Sequence, residues 1–265
     1  MIEIDENIDP MVKALKDRKQ DFTVVTTNKT KTLLYKEQKF MYRRSKDSNF
    51  KPSHLGFMQL IKKEVKERLP LNPVKMKPRQ NYYDCQVFAD IENGEYLTFE
   101  NCLEIDINKA YYQALLNMNL LSVETYERFI SLPKEIRLAL VGSLATRKNT
   151  YYYELGELEK HEIKVDKELR EVFFCCVDMV DKALKSFKYL QKENFLFYWV
   201  DGIYLKDNER IKRDLKIIEA RFNFSFSVEP CEKIIFLKCN EYNTKIGVKQ
   251  GDKNKVFNVE NLFQL

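Results

Sequence analysis

Histidine is scarce in this chain of 265 residues; His54 and His161 are the only two, and they lie far apart. The six cysteines (Cys85, Cys102, Cys175, Cys176, Cys231 and Cys239) show no CxxC spacing. These shortages argue against a zinc site and against a secreted disulfide framework, and they fit a reducing cytosol. No apolar run is long enough for a membrane span, and the acidic start MIEIDENIDP is no signal peptide. There is no internal repeat and no low-complexity linker. The chain reads as soluble and intracellular.

What is present is a large apolar share, 44% hydrophobic and 13% aromatic, enough to fold without disulfides. The net charge of +5 hides an asymmetry. Residues 11 to 80 carry 19 Lys and Arg against 6 Asp and Glu, whereas residues 81 to 265 carry 26 against 30. A basic block beside a slightly acidic remainder fits a polyanionic partner, or else a lysine-rich solvated surface.

The segment 22–44 reads as two or three short strands with basic turns, and 55–69 has helical spacing up to Pro70. The proline-punctuated stretch LPLNPVKMKPRQN (69–81) is the expected boundary, giving a basic N-terminal subdomain, 1–80, and a second domain, 81–265. Beyond it the spacing predicts a strand, a turn at Asn93-Gly94 and a strand running to Asp106. Helices are expected after Asp106, over 131–145 with Pro133 in the first turn, over 166–191 and over 208–222, and a strand over 231–239. The class is α+β: a small, largely antiparallel sheet with helices on one face.

Two acids stand out. In NFLFYWVDGIYLKDN (194–208), Asp201 is at the tip of an apolar hairpin, where Asp-Gly also favours a type I′ turn with positive φ at both central residues. In CLEIDINKAYYQAL, Asp106 ends an apolar strand just before a helix, and Glu104 shares its strand parity. Carboxylates on neighbouring strand ends are what two-metal phosphoryl transfer uses to anchor Mg²⁺ or Mn²⁺, and this chemistry needs no imidazole. Magnesium keeps several waters, so two protein carboxylates plus substrate phosphates suffice.

DINKAYYQAL resembles motif A of the family B DNA polymerases, and YWVDGIYL resembles motif C. RLALVGSLA is similar to the helix of motif B, and EKIIFLKCNEY to the Lys-x-Tyr region. The four stand in the family's order over roughly residues 82 to 245. The resemblance implies a polymerase-type palm with very short fingers and no usual thumb, from a phage or other mobile element and working in the host-cell cytoplasm. It implies Asp106 and Asp201 as catalytic ligands of two Mg²⁺ or Mn²⁺ ions, with the Ile107 carbonyl assisting. Tyr111 would reject the ribose 2′-hydroxyl, and Arg137 would hold the incoming triphosphate, with Lys109 a spare cation nearby. Lys238 and Tyr242 would meet the primer. The basic residues Arg43, Arg44 and Lys46 are chosen for phosphate contact on the N-terminal block. The implied activity is addition of deoxynucleotides on a DNA template, primed or primase-like, with dNTPs, single-stranded DNA and other replication proteins as partners.

The chain departs from the family's pattern. Trp199 occupies the place of the first motif C aspartate, and Val141-Gly142 and Leu144 replace polar motif B residues. A degenerate palm that binds nucleic acid or a replisome partner, and a nuclease or cyclase on a similar acidic sheet, are the other readings. Tyr151, Tyr152 and Tyr153 are read either as a base-stacking run or as part of a strand.

Overall fold

The computed structural model describes residues 2–4, 7–27, 30–43, 53–75, 83–85, 92–240 and 243–260. In chain order the elements are β1 (Ile2–Ile4), α1 (Asp9–Asp17), β2 (Phe22–Thr26), β3 (Thr30–Tyr35), β4 (Gln38–Arg43), α2 (Ser53–Arg68), β5 (Tyr83–Cys85) and β6 (Tyr96–Ile107). There follow α3 (Ala110–Asn117), α4 (Val123–Ile130), α5 (Lys134–Gly142), β7 (Arg147–Glu154), β8 (Glu157–Val165) and α6 (Lys167–Leu190). The chain ends with β9 (Phe195–Trp199), β10 (Gly202–Lys206), α7 (Ile211–Phe222), β11 (Phe226–Lys238), β12 (Asn243–Gln250) and β13 (Lys253–Glu260).

These elements form two units, each built from two stretches of chain: residues 1–75 with 120–174, and residues 76–119 with 175–265. The division expected at residue 80 leaves 120–174 with the C-terminal part. In the structure that segment joins the N-terminal block, because β7 pairs antiparallel with β2, Val24 opposite Tyr151. The expected small antiparallel sheet and the short strands expected in the N-terminal block belong to two separate sheets. The first unit holds a six-stranded sheet in the order β1-β4-β3-β2-β7-β8, antiparallel except for β1 on β4. The second holds a seven-stranded antiparallel sheet, β13-β12-β11-β6-β10-β9-β5.

In the first unit α1 lays Met11, Val12 and Leu15 over Ile8, Phe22, Val24 and Leu33. The tyrosine run lies inside this sheet. Tyr153 stacks on Phe22 at 4.4 Å, Tyr151 stacks on His161 at 4.4 Å, and the Tyr152 hydroxyl donates to Glu162. The strand reading of that run therefore holds. The turn from β7 to β8 uses Leu155 and Gly156, both with positive φ.

The helix α6, which belongs to the second unit from Cys175 on, forms because Val172, Cys176, Val180, Ala183, Leu184 and Phe187 recur at three- and four-residue spacing, and all six are buried. The Tyr198 hydroxyl donates to Asp181, tying α6 to the sheet, and Gln191, just after α6, donates to Asp214 of α7, tying the two helices together. The opposite face curls round a core of Phe197, Tyr204, Cys231, Phe236 and Val248, and Phe257 of β13 folds back onto Phe197 and Trp199. Asn101, with φ of 53° in the middle of β6, breaks the alternation, so Phe99 and Cys102 both reach this core. Among the described residues no helix is long and apolar enough to cross a membrane.

Candidate functional site

Asp106 is the second-to-last residue of β6, where its neighbours are fixed on both sides. It pairs with Gly202 of β10 and with Ser227 of β11. One step further, the Ile107 amide donates to the Asp201 carbonyl at 3.0 Å, and the Asn108 amide to the Ser225 carbonyl at 2.8 Å. The register thus brings Asp106 and Asp201 to the same end of two adjacent strands. Both are partly exposed, while Ile105 and Ile107 between and beyond them are buried on the helix-covered face.

Gly202 has a steric task here. A Cβ at this position would lie 2.6 Å from Asp106 Oδ1, closer than non-bonded contact allows, and 3.8 Å from Glu104 Oε1. The absent side chain is the space that the Asp106 carboxylate occupies. The expected Asp201-Gly202 turn is corrected by this register. Gly202 pairs with Trp199, so the two turn residues are Val200 and Asp201, and of the hairpin's residues Val200 has the positive φ, 57°. A β-branched residue in the left-handed region is strained. Lys109, just after β6, is left-handed as well, with φ of 53°. Two such residues flank the acid pair, the kind of place where strain is kept for function.

Glu104 shares the strand face of Asp106 but is spoken for. It is 5% exposed and accepts from the Tyr204 hydroxyl at 2.7 Å, from Gln250 Nε2 at 2.5 Å and from Lys255 Nζ at 2.6 Å on both oxygens. Burial first, then the hydrogen bond to Glu104, drives the Tyr204 phenol far above its ordinary range, so it stays a donor. The negative charge of Asp106 contributes to the same shift. Lys255 and Gln250 arrive from the last two strands, and this clamp is absent from the sequence reading. Trp199, in place of an acid, is a core residue, stacked on Tyr83 at 4.9 Å and tilted against Phe257 at 5.7 Å.

The other expected site residues are spread out. Tyr111 is half-buried in the first turn of α3, directly after the acid-bearing strand, and Lys109 is exposed before it. Arg137 lies on α5 in the first unit, near Tyr126, whose phenol burial raises and the Arg137 charge lowers. Lys238 is at the other end of β11 from Ser227, roughly 36 Å away along the strand at ~3.3 Å per residue. Arg43 closes β4, with its side chain outside the described residues; Arg44, Lys46 and Tyr242 lie outside them altogether. Among the described residues there is no cluster of three or more His, Cys, Asp or Glu placed to hold a metal ion.

No family model and no curated protein matches the chain. Among solved structures it is similar to that of the family B DNA polymerase from the hyperthermophilic archaeon Pyrobaculum calidifontis. Identity is 11% and the TM-score 0.39 over 77% of this chain. The chain spans about a third (33%) of the length of that polymerase chain.

Proposed function

We propose that the chain is a metal-dependent nucleotidyltransferase of DNA polymerase or primase type, with Asp106 and Asp201 as its catalytic acids. The observation that supports this most is the register: Asp106 opposite Gly202, with the Ile107 amide on the Asp201 carbonyl. It sets two carboxylates on adjacent strand ends, and the missing Cβ of Gly202 leaves room for one of them. Hard oxygen donors of this kind fit Mg²⁺ or Mn²⁺. Asp106 and Asp201 would hold two such ions, with the Ile107 carbonyl assisting. When bound, the ions activate the attacking hydroxyl and offset charge on the leaving phosphate oxygens.

The remaining roles belong to this chain's own groups. Tyr111 stands one turn beyond Asp106 and would pack against the sugar, excluding a 2′-hydroxyl. Lys109 would supply a cation to the triphosphate. Lys238, with the basic N-terminal residues, would contact nucleic acid away from the reacting atoms. Glu104, already satisfied by Lys255 and Gln250, would hold Asp106's strand rather than bind metal.

The degenerate-palm reading also has an observation behind it. Trp199 is locked into the aromatic core where the polymerase motif would have an acid. A denaturing gel separates the two readings. Protein, labelled dNTPs or NTPs and Mg²⁺ or Mn²⁺ are incubated with single-stranded DNA, with and without an annealed primer. Metal-dependent products absent with Asp201→Ala are expected. Single-strand binding with no incorporation under any condition would leave only the binding module. In the same assay Tyr111→Ala is expected to raise ribonucleotide use relative to deoxynucleotide use by about tenfold, ~1.4 kcal/mol of lost discrimination. An unchanged ratio would remove Tyr111 from the sugar contact.

A further inference from the structure

The C-terminal unit has a groove that the acid pair does not use. It is an open trough of about 560 Å³ between α6 and α7, walled by Lys182, Lys185 and Tyr189 on one side and Arg221 on the other, over Leu190 and Ile218. It lies on the helix-covered face of the seven-stranded sheet. Tyr198, whose hydroxyl meets α6, pairs with Ile203, while Asp106 pairs with the next residue, Gly202, whose side faces the other way.

The charge of the trough is one-sided. Its lining contains three cations and no carboxylate. Two acids of these helices are taken inward: Asp181 is buried and accepts from Tyr198, and Asp214 is fully buried and accepts from Gln191 and Arg213, while the half-buried Glu219 is not among the lining residues. Lys182 pairs with Asp178 at 2.6 Å, and Lys185 reaches the buried Asp181 at 3.4 Å. Arg221 faces the Phe222 ring at 5.3 Å, with no carboxylate partner among the described residues. Tyr189 is 81% exposed, and its ring is not packed on another aromatic among the described residues.

An exposed aromatic thus stands at the mouth of an open, lysine- and arginine-edged trough over an apolar floor, with no carboxylate in its lining. An acidic protein segment would use the cations but not the exposed flat ring. A strand with unstacked bases uses both, its phosphates on the cations and one base on the ring. We infer that this trough is a second binding track for single-stranded nucleic acid, on the far face of the sheet from Asp106. The inference stands apart from catalysis, since none of its residues belongs to the acid pair.

The test is photocross-linking of a thymidine oligonucleotide carrying 5-iododeoxyuridine to the full chain in magnesium-free buffer, followed by peptide mapping. The adduct is expected on Tyr189, in the tryptic peptide Tyr189–Lys192. It should persist in the Asp106→Asn/Asp201→Asn variant, so failure of the catalytic reading and failure of this one remain distinguishable. Tyr189→Ala should weaken binding about fivefold or more. Lys182→Ala with Arg221→Ala should reduce the steepness of the log-affinity against log-salt line by about 1.4. Thermal melts of each variant confirm that it is folded. Adducts confined to other peptides, with affinity and salt slope unchanged by these substitutions, would overturn the inference. So would Tyr189- and Arg221-dependent binding of a labelled poly-glutamate peptide without a Tyr189 adduct, which would assign the trough to an acidic protein segment.

Discussion

Replacing Lys255 with methionine is expected to destabilise the C-terminal unit by about 3 kcal/mol. The argument starts from Glu104, which is buried on a strand whose neighbours are apolar. A carboxylate taken out of water keeps its charge only if donors replace the lost hydration. Tyr204, Gln250 and Lys255 do so, and Lys255 alone brings a compensating charge, bonded to both oxygens at 2.6 Å. Methionine keeps the stem and removes the charge, leaving an uncompensated buried anion. The effect stays near the lower end of the usual range because the Lys255 side chain is 38% exposed and two neutral donors remain. Trp199, the single tryptophan, lies in the same core and reports unfolding by its fluorescence in urea. The double variant Lys255→Met/Glu104→Leu should recover most of the loss, since it removes both charges together. Equal destabilisation in the single and double variants would show that packing, not charge, sets the cost.

Gly202→Ala is expected to reduce nucleotide incorporation about 100-fold while the chain stays folded. The new methyl would start 2.6 Å from Asp106 Oδ1, so one of the two must move. Gly202 is held on both sides of its strand, by Asp106 on β6 and by Trp199 on β9, and the more movable partner is the carboxylate. A displacement of about 1 Å at a reacting centre is enough for a loss of that size. Stability should change little, because the Asp106 side chain is partly exposed. Steady-state incorporation beside a urea curve reads the two effects separately. Wild-type activity in Gly202→Ala would mean that Asp106's position is not critical.

How far the sequence reached depends on the distance over which each feature is determined. The helix α6 was readable because its periodicity is local, and the apolar strands carrying Asp106 and Asp201 were readable for the same reason. Their adjacency followed from two strand-end positions, and the ladder between β6 and β10 provides it. The first unit was misread because its sheet is completed from afar. Val24 meets Tyr151 across more than a hundred residues, and nothing in a strand's composition names its partner. The Glu104 clamp was out of reach for a stronger version of that reason, since Lys255 comes from the last strand. The hairpin tip was misplaced by one residue because Asp-Gly is a good local turn signal. Here the ladder with β6 and β9 overrides it and puts the positive φ on Val200 instead. The strongest local signal for that geometry was misleading, and the type I′-like pair of positive φ values occurs at Leu155-Gly156.

The central claim is that Asp106 and Asp201 act as one divalent-cation site. Mn²⁺ titration followed by electron paramagnetic resonance, with and without a dNTP, tests it most directly on wild type, Asp106→Asn and Asp201→Asn. The account predicts bound Mn²⁺ in the wild type, tightened by dNTP, and a loss of at least about tenfold in affinity for each single variant, ~1.4 kcal/mol or more. Binding of equal strength in all three proteins would contradict it.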